Sequence, residues 1–367
     1  MNYYLICPLG VIAGKEDLLT YCAKQDLQIG TVVEIPFGSR TKSGVIIKKS
    51  EEPAFLTKSI EKILDEIIPT HLIKLGTWIS EYYGVRLSFV LQAILPKGLG
   101  KTRRPKVIDS HKVTRAPTQH TLTTEQVEAI EMISHSKKIT HILHGVTGSG
   151  KTRVYQELAK KVLHDQKSVL VLVPEISLTP QLAAEFEQLP AHVLVLPSGL
   201  SAADRHTYWR LLNGASQPWV IVGPRSSLFT PLENLGLIVI DECHEPSYQQ
   251  DSQPKYSALR VARKLAELSD AKLILGSATP LIADYFVAAA TGAPIVHMGS
   301  PTNKRNTLVE IVDMRERDEF GTHPLFSKKL INAMNKSLAQ YEQILLFHNR
   351  RGTARMSLCA NCGWVAE

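Results

Sequence analysis

The sequence predicts an α/β fold, in which a parallel sheet is flanked by helices and is preceded by a smaller domain of strands and helices. Short apolar runs rich in Val, Ile and Leu alternate with helical segments after residue 122, as expected for strands that a parallel sheet buries on both faces. These runs are 142–143, 168–173, 192–196, 219–222, 237–240 and 272–275. The first run leads into a glycine-rich loop and then into a segment, 153–164, with apolar residues at helical spacing. Polar residues follow several runs, where an open α/β sheet binds its ligands.

The composition indicates a globular chain with an anionic partner. The 367 residues are 44% hydrophobic and 21% charged, which allows two or three domains. A net charge of +7 and a pI near 9.0 favour nucleic acid as that partner, although a solvated basic surface gives the same balance. The five cysteines form no even framework, and neither a signal peptide nor a membrane-spanning run is visible, so we expect a cytoplasmic protein.

The first hundred residues predict a small β unit followed by helices. Strand-like runs lie at 3–6, 31–35 and 44–47. From 59 to 98 the spacing is helical, beginning with Ile60, Ile63, Leu64 and Ile67. The Trp and Tyr residues of this segment favour core packing over a platform for base stacking.

Residues 101–121 predict a basic linker, because Lys, Arg and Pro are frequent there and apolar periodicity is missing. The linker is either a solvated connector or a segment that follows a nucleic-acid backbone. The predicted domains are therefore 1–100, 101–121, 122–300 and 301–367.

A phosphate-binding loop follows the run at 142–143. The sequence matches the pattern G-x-x-x-x-G-K-[ST] in full, in the expected context of strand, loop and helix, so a chance match is the minor alternative. Its residues are Gly145, Val146, Thr147, Gly148, Ser149, Gly150, Lys151 and Thr152. We expect Lys151 to bind the β- and γ-phosphates and the Thr152 hydroxyl to bind Mg²⁺ at the start of a helix.

Two carboxylates follow the run at 237–240, and two hydroxyls follow the run at 272–275. Asp241 is suited to hold Mg²⁺ and Glu242 to polarise the water that attacks the γ-phosphate, although solvated carboxylates at a strand end are the plainer alternative. His244 is placed to sense the γ-phosphate. Ser277 and Thr279 could bond these carboxylates and relay the nucleotide state, or form a simple turn.

The order of the phosphate loop, Asp-Glu-Cys-His and Ser-Ala-Thr resembles the first, RecA-like motor lobe of a superfamily 2 helicase of the DExH type. Further segments are similar to the PriA family of replication-restart helicases. They are VEIPFG at 33–38, VPEISLTPQ at 173–181, SGLS at 198–201, GPRSSLF at 223–229 and NRRG at 349–352. The resemblance runs from about Leu19 to Glu367.

This resemblance implies a DNA helicase that uses ATP and Mg²⁺, moves 3′ to 5′ and captures a 3′ DNA end at a fork. It implies that Gln126 contacts adenine and that a loop at 244–250, with Tyr248, couples DNA binding to ATP hydrolysis. The implied DNA contacts are Leu19, Thr20, Gly38 and Lys58 in the end-binding domain, and Pro174, Thr179, Arg225 and Ser226 in the motor. Thr20 stands where many relatives have Asp, which alters the expected bond to the terminal 3′ hydroxyl. The implied partners are forked and single-stranded DNA, single-stranded-DNA-binding protein and other primosome proteins, bound by a monomer.

The sequence departs from the family in two places. A winged-helix domain has no room in 101–121, and Cys359 and Cys362 supply half of the four ligands that a structural zinc site needs, so we expect weak or no zinc binding. The family's second motor lobe, with its arginines, is also missing. We therefore expect a truncated chain that binds nucleotide but hydrolyses it feebly.

Two other classes remain open at this point. The chain could be a non-enzymatic module that binds a fork end and a nucleotide. A small-molecule kinase or a transporter-type ATPase is opposed by Ser277-Ala278-Thr279 and by the NRRG segment at 349–352.

Overall fold

A computed structural model of the chain describes residues 1–11, 16–100, 121–174, 180–301, 308–313, 326–347, 357–358 and 365–366. The chain divides into two compact units, Met1–Lys304 and Arg305–Glu367. Within the described residues, no helix is both long enough and apolar enough to cross a membrane. Nearly all of the predicted linker at 101–121 lies outside them.

The first unit begins with a six-stranded sheet. Its strands are β1 (Asn2–Pro8), β2 (Leu19–Ala23), β3 (Thr31–Phe37), β4 (Arg40–Ser50), β5 (Lys58–Ser59) and β6 (Lys62–Ile67). Their order is β5-β2-β1-β4-β3-β6, and only β2 and β5 pair in parallel. Gly38 lies in the tight connection between β3 and β4 with a φ of +61°, a conformation that glycine adopts without strain.

Strand β6 corrects the prediction of a helix from residue 59. Apolar residues at 60, 63, 64 and 67 mimic helical spacing, but Lys62–Ile67 pairs with β3 as an edge strand of the sheet. The side chains of Leu64 and Glu66, two residues apart on this strand, are buried. A buried glutamate in an inward position broke the apolar alternation that would have identified the strand.

Two helices follow this sheet. Helix α1 (Thr70–Tyr83) begins after Pro69, and α2 (Leu87–Ile94) packs against it. Gly84 ends α1 in the left-handed conformation with a φ of +62°, and its N–H donates to the carbonyl of Ser80.

A seven-stranded parallel sheet forms the rest of the first unit. Its strands are β7 (Thr140–Gly145), β8 (Ser168–Leu172), β9 (His192–Val195), β10 (Trp219–Gly223), β11 (Leu235–Ile240), β14 (Lys272–Ser277) and β15 (Ile295–Met298). They stand in the order β15-β7-β14-β11-β8-β10-β9, with a small hairpin of β12 (Gln249–Gln250) and β13 (Tyr256–Ser257) beside them. The accompanying helices are α3 (Thr124–His135), α4 (Lys151–His164), α5 (Pro180–Glu187), α6 (Ala202–Leu212), α7 (Ala258–Ser269) and α8 (Ile282–Thr291). The predicted fold class is confirmed.

The two parts of the first unit share one hydrophobic core. Apolar residues of α1 and α2 belong to the same buried cluster as residues of β11 and α7. Polar contacts cross the same boundary. Glu66 Oε1 lies 2.8 Å from His206 Nε2, with both side chains buried, and Arg210 pairs with Asp65 at 3.1 Å on the surface. The Asn213 side chain donates to the carbonyl of Ile67 at 2.9 Å.

The second unit contains a helix and a strand pair. Helix α9 (Lys328–Ala339) begins at Ser327, whose hydroxyl accepts from the N–H of Leu330. Strands β16 (Ser357–Leu358) and β17 (Val365–Ala366) pair in antiparallel fashion. Cys359 and Cys362, the predicted half of a zinc site, lie outside the described residues.

His141, on β7, makes the fold sensitive to acid. The side chain is fully buried, and burial, assisted by the charge of Lys272 and opposed by the Ile139 backbone, lowers the pKa of His141 to about 4. As the pH falls from about 6.5 towards 4, His141 therefore binds a proton in the unfolded chain but stays neutral in the folded chain. This contribution destabilises the fold by about 1 kcal/mol at pH 5.5 and vanishes above pH 7.

We predict that His141→Leu lessens the loss of unfolding free energy between pH 7.5 and pH 5.5 by about 1 kcal/mol. Urea unfolding at the two pH values measures this. The control is His164→Gln, at an exposed histidine of α4, which should leave the loss unchanged. An identical pH dependence in His141→Leu and the wild type would contradict the assignment.

Candidate functional site

The predicted phosphate loop joins β7 to α4 at the carboxyl edge of the parallel sheet. Gly148 and Gly150 have φ angles of +76° and +80°, so the backbone turns there in a way that side chains rarely permit. A Cβ on Gly145 would lie 2.6 Å from Ser149 Oγ, which explains why glycine is needed at the start of the loop. The Lys151 ammonium donates to the Gly145 carbonyl at 2.9 Å.

Gln126 contacts this loop through its side-chain amide. The amide oxygen accepts from the N–H of Thr123 at 3.0 Å, which completes a capping box at the start of α3. The amide nitrogen donates to the Ser149 carbonyl at 3.2 Å. Both ends of the amide thus have protein partners that fix the loop against α3, and the contact of Gln126 with adenine stays a prediction.

Asp241 directly follows β11 and is hydrogen-bonded to the helix that carries Lys151. Tyr155, one helical turn after Lys151 on α4, donates its buried hydroxyl to Asp241 Oδ1 at 3.0 Å. Burial and the neighbouring Glu242 raise the pKa of Asp241, whereas the bond from Tyr155 and the charge of Lys151 oppose that rise. The structure therefore brings the phosphate-loop helix and the acidic strand end together, as the sequence required.

Glu242, His244 and Ser277 form a second polar group at this edge. His244 Nδ1 lies 2.8 Å from Ser277 Oγ and 3.5 Å from Glu242 Oε2. Ser277 Oγ also accepts from the N–H of Thr279 at 2.9 Å. The side chain of Ser277 thus contacts the side chain of His244, and Thr279 takes part through its backbone N–H.

Cys243 connects the same two strand ends through its backbone. Its N–H donates to the Gly276 carbonyl at 3.0 Å. Its thiol is buried, which raises the pKa of Cys243 to about 12 and keeps it protonated. The side chain therefore packs as a small apolar group.

Gly276 allows the close packing of Tyr155 at the end of β14. A Cβ at this position would lie 1.7 Å from the Tyr155 hydroxyl oxygen and 2.8 Å from the ring carbon that bears it. We predict that Gly276→Ala lowers the free energy of unfolding by about 1–3 kcal/mol, because a buried ring must move and its bond to Asp241 is disturbed. Chemical denaturation measures this loss.

The control for this prediction is Gly199→Ala, where an added Cβ would meet open space. Its unfolding free energy should stay within about 0.5 kcal/mol of the wild type. Equal stability of the two alanine variants would show that the contact between Gly276 and Tyr155 is not tight in solution.

Arg225 contacts a neighbouring loop of the protein. Its guanidinium donates through Nη1 to the carbonyls of Ser247 and Gln249. These carbonyls lie in residues 245–257, which join the acidic end of β11 to α7 and overlap the predicted loop at 244–250. After that prediction, the segment 245–257 is called the coupling loop. Arg225 begins a 3₁₀ turn, Arg225–Phe229, that includes Ser226, while Pro174 follows β8 and is buried. Thr179 lies outside the described residues, and DNA contact by this group stays a prediction.

Three of the four predicted end-binding residues lie on the paired strands β2 and β5 at one side of the first sheet. Leu19 and Thr20 begin β2, and Lys58 of β5 pairs with Tyr21 in the next position. The Tyr21 hydroxyl donates to the carbonyl of Pro36 at 3.0 Å, which links this edge to the connection that holds Gly38. Leu19, Thr20 and Lys58 are thus on neighbouring strands, and Gly38 is connected to them through the bond of Tyr21 to Pro36.

The sequence reasoning did not identify Tyr155 or the loop contact of Arg225. The spacing of four between Lys151 and Tyr155 places both on one face of a helix, which was an available signal. No pattern in the sequence indicated that Arg225 contacts the coupling loop, because that contact is made to backbone carbonyls far along the chain.

The residues present fit a nucleoside triphosphate with Mg²⁺. Ser149 Oγ is buried in the loop without a hydrogen-bond partner, and Lys151 and the start of α4 add positive charge beside it. In the described part of the chain, no three His, Cys, Asp or Glu side chains form a metal-binding group. A Mg²⁺ ion bound by phosphates needs only one or two protein ligands, a need that Thr152 and Asp241 fit.

Comparisons with known proteins agree with this geometry. A model of the DEAD/DEAH box helicases matches residues 123–285, and a model of a 3′ DNA-binding domain matches residues 7–96. The replication restart protein PriA of Bacillus subtilis is 38% identical over 290 residues, covering 76% of this chain and 36% of that protein. PriA of Rickettsia felis is 33% identical over 345 residues (92% and 52%), and PriA of Helicobacter pylori is 31% identical over 366 residues (99% and 55%).

A helicase domain of the DEAD/DEAH-box class, preceded by a 3′ DNA-binding domain, is therefore the class that fold and site define. The chain belongs to the PriA family of replication restart proteins. It spans from about a third to just over half the length of these curated relatives.

Proposed function

We propose that this chain is the amino-terminal part of an ATP-dependent 3′-to-5′ DNA helicase that recognises forked DNA and supports primosome assembly in the cytoplasm. The observation that carries the proposal is the bond from Tyr155 to Asp241, which joins the Lys151 helix to the acidic strand end. Kinases and transporter-type ATPases also have phosphate loops, but the pairing of His244 with Ser277 favours a motor of the DExH type.

Each polar group at the strand ends has a role in this proposal. Lys151 and the loop N–H groups bind the β- and γ-phosphates, and Glu242 orients and polarises the attacking water. Thr152 and Asp241 hold Mg²⁺, which neutralises charge on the phosphates when bound. His244 and Ser277 relay the presence of the γ-phosphate towards the segments that contact DNA.

The DNA contacts in this proposal are of two kinds. Leu19, Thr20, Gly38 and Lys58 receive the 3′ end of a strand at a fork. Backbone groups and side chains near Pro174, Thr179, Arg225 and Ser226 contact phosphates, which gives affinity without reading the sequence. Single-stranded-DNA-binding protein and other primosome proteins remain predicted partners, as does the monomeric state.

Equilibrium binding and turnover measurements test the proposal. We expect the chain to bind a fluorescent ATP analogue in a Mg²⁺-dependent manner, and to bind a fork with a 3′ hydroxyl more tightly than the same fork with a 3′ phosphate. ATP turnover with and without single-stranded DNA separates a motor from the non-enzymatic module, which would bind both ligands without turnover. Turnover that is indifferent to DNA, or failure to bind nucleotide, would contradict the proposal.

A further inference from the structure

The coupling loop is fixed at its root, next to the acidic strand end. The buried hydroxyl of Tyr248 lies 2.6 Å from the carbonyl of Asp241 and 3.1 Å from the carbonyl of Leu172. One phenol therefore bonds the carboxyl ends of two neighbouring strands, β11 and β8. A movement of the loop at Tyr248 therefore displaces the backbone of Asp241.

The middle of the coupling loop is fixed by the 3₁₀ turn Arg225–Phe229. Arg225 donates to the carbonyls of Ser247 and Gln249, at the start of the β12–β13 hairpin. Phe229 packs edge-on against Tyr256 on the returning strand, with ring centroids 5.6 Å apart. The turn thus contacts both strands of the hairpin.

The far end of the coupling loop is fixed by the amino-terminal domain. The Tyr83 hydroxyl, at the end of α1, accepts a hydrogen bond from the N–H of Ser257 at 3.1 Å. Ser257 is the residue at which the loop ends and α7 begins, and its side chain makes no cap bond to that helix. The neighbouring Tyr82 contacts α7 instead, since its hydroxyl accepts from Arg260 at 2.6 Å.

We propose that Tyr83 is a positioning residue through which the amino-terminal domain fixes the coupling loop, and that this contact sets the linkage between DNA binding and nucleotide binding. The loop has one attachment at the nucleotide site, one in the motor and one in the other domain. A change in how α1 packs on the motor reaches Asp241 through Ser257, the hairpin and Tyr248. The proposal rests on the proposed function, because it assumes that both ligands bind this chain.

Residue-resolved hydrogen exchange on the whole chain without ligands tests the contact itself. In Tyr83→Phe the amide of Ser257 should exchange about two- to tenfold faster, because it loses an acceptor, while the amides of α1 stay protected. Tyr82→Phe is the matched control, since it changes the adjacent tyrosine of the same helix but leaves the acceptor for Ser257. Unchanged exchange of Ser257 in Tyr83→Phe would overturn the proposal.

A binding cycle tests the linkage. The ratio of the Kd of a non-hydrolysable ATP analogue without DNA to its Kd with saturating forked DNA should differ from one in the wild type. In Tyr83→Phe we expect this ratio to move towards one by about threefold or more, with the Kd of each ligand alone nearly unchanged. In Tyr82→Phe the ratio should stay at the wild-type value.

The outcomes separate the inference from the function on which it rests. A wild-type ratio of one, a wild-type ratio retained in Tyr83→Phe, or an equal loss in Tyr82→Phe would each overturn the inference while leaving the function intact. A wild type that binds neither ligand would contradict the proposed function, and with it the linkage.

Discussion

Replacement of Lys151 by alanine is expected to weaken the binding of Mg²⁺·ATP by about a hundredfold, because it removes the charge-assisted bonds that we propose Lys151 makes to the β- and γ-phosphates. The same change should leave the affinity for a forked DNA within about twofold of the wild type, since the predicted end-binding residues lie on the other sheet of the first unit. Titration of a fluorescent nucleotide and of a labelled fork measures the two affinities.

The control for this prediction is Lys160→Ala on the same helix. Lys160 is partly exposed and pairs with Glu157 at 2.8 Å, so its loss removes one charge from α4 without touching the loop. Nucleotide affinity in this variant should stay close to the wild type. An equal loss of nucleotide and fork binding in Lys151→Ala would contradict the assignment of the two ligands to separate sites.

His206→Ala is expected to lower the free energy of unfolding by about 3–5 kcal/mol. The change leaves the Glu66 carboxyl group buried without its main partner, and it opens a cavity between the two parts of the first unit. A loss of this size is a large fraction of the stability of an ordinary domain. Urea unfolding followed by circular dichroism measures it.

The exposed pair next to this one supplies the matched control. Arg210 follows His206 by one helical turn and pairs with Asp65, the residue before Glu66, but the carboxylate of Asp65 is 82% exposed. Arg210→Ala should therefore cost less than about 1 kcal/mol. Similar losses in the two variants would show that the Glu66–His206 pair is not buried in solution.

The parallel sheet and the phosphate loop could be predicted from sequence because their signals are local. The apolar runs are long enough to indicate buried strands, and the spacing of Gly145, Gly150 and Lys151 specifies the loop. The strand ends then place Asp241 and Ser277 at one edge, since parallel strands end together. The proximity of Lys151 and Asp241 thus follows from topology.

The contacts between distant segments could not be predicted in this way. In the sequence, Glu66 indicates an exposed position, whereas in the structure it is buried against His206. For this reason the strand β6 was mistaken for part of a helix. The same limit applies to Tyr83, which bonds a backbone N–H that carries no sequence signature. Such pairs depend on how two elements pack, and one sequence contains no information that joins them.

The core that α1 and α2 share with the motor lobe has a consequence for recombination between relatives. A gene that acquires a different end-binding domain encodes a motor with an exposed apolar surface, in which His206 has lost its contact with Glu66. We expect exchange to be tolerated only when the incoming helices are complementary in shape to this surface and carry an acidic partner for His206. The two parts are therefore expected to be inherited together.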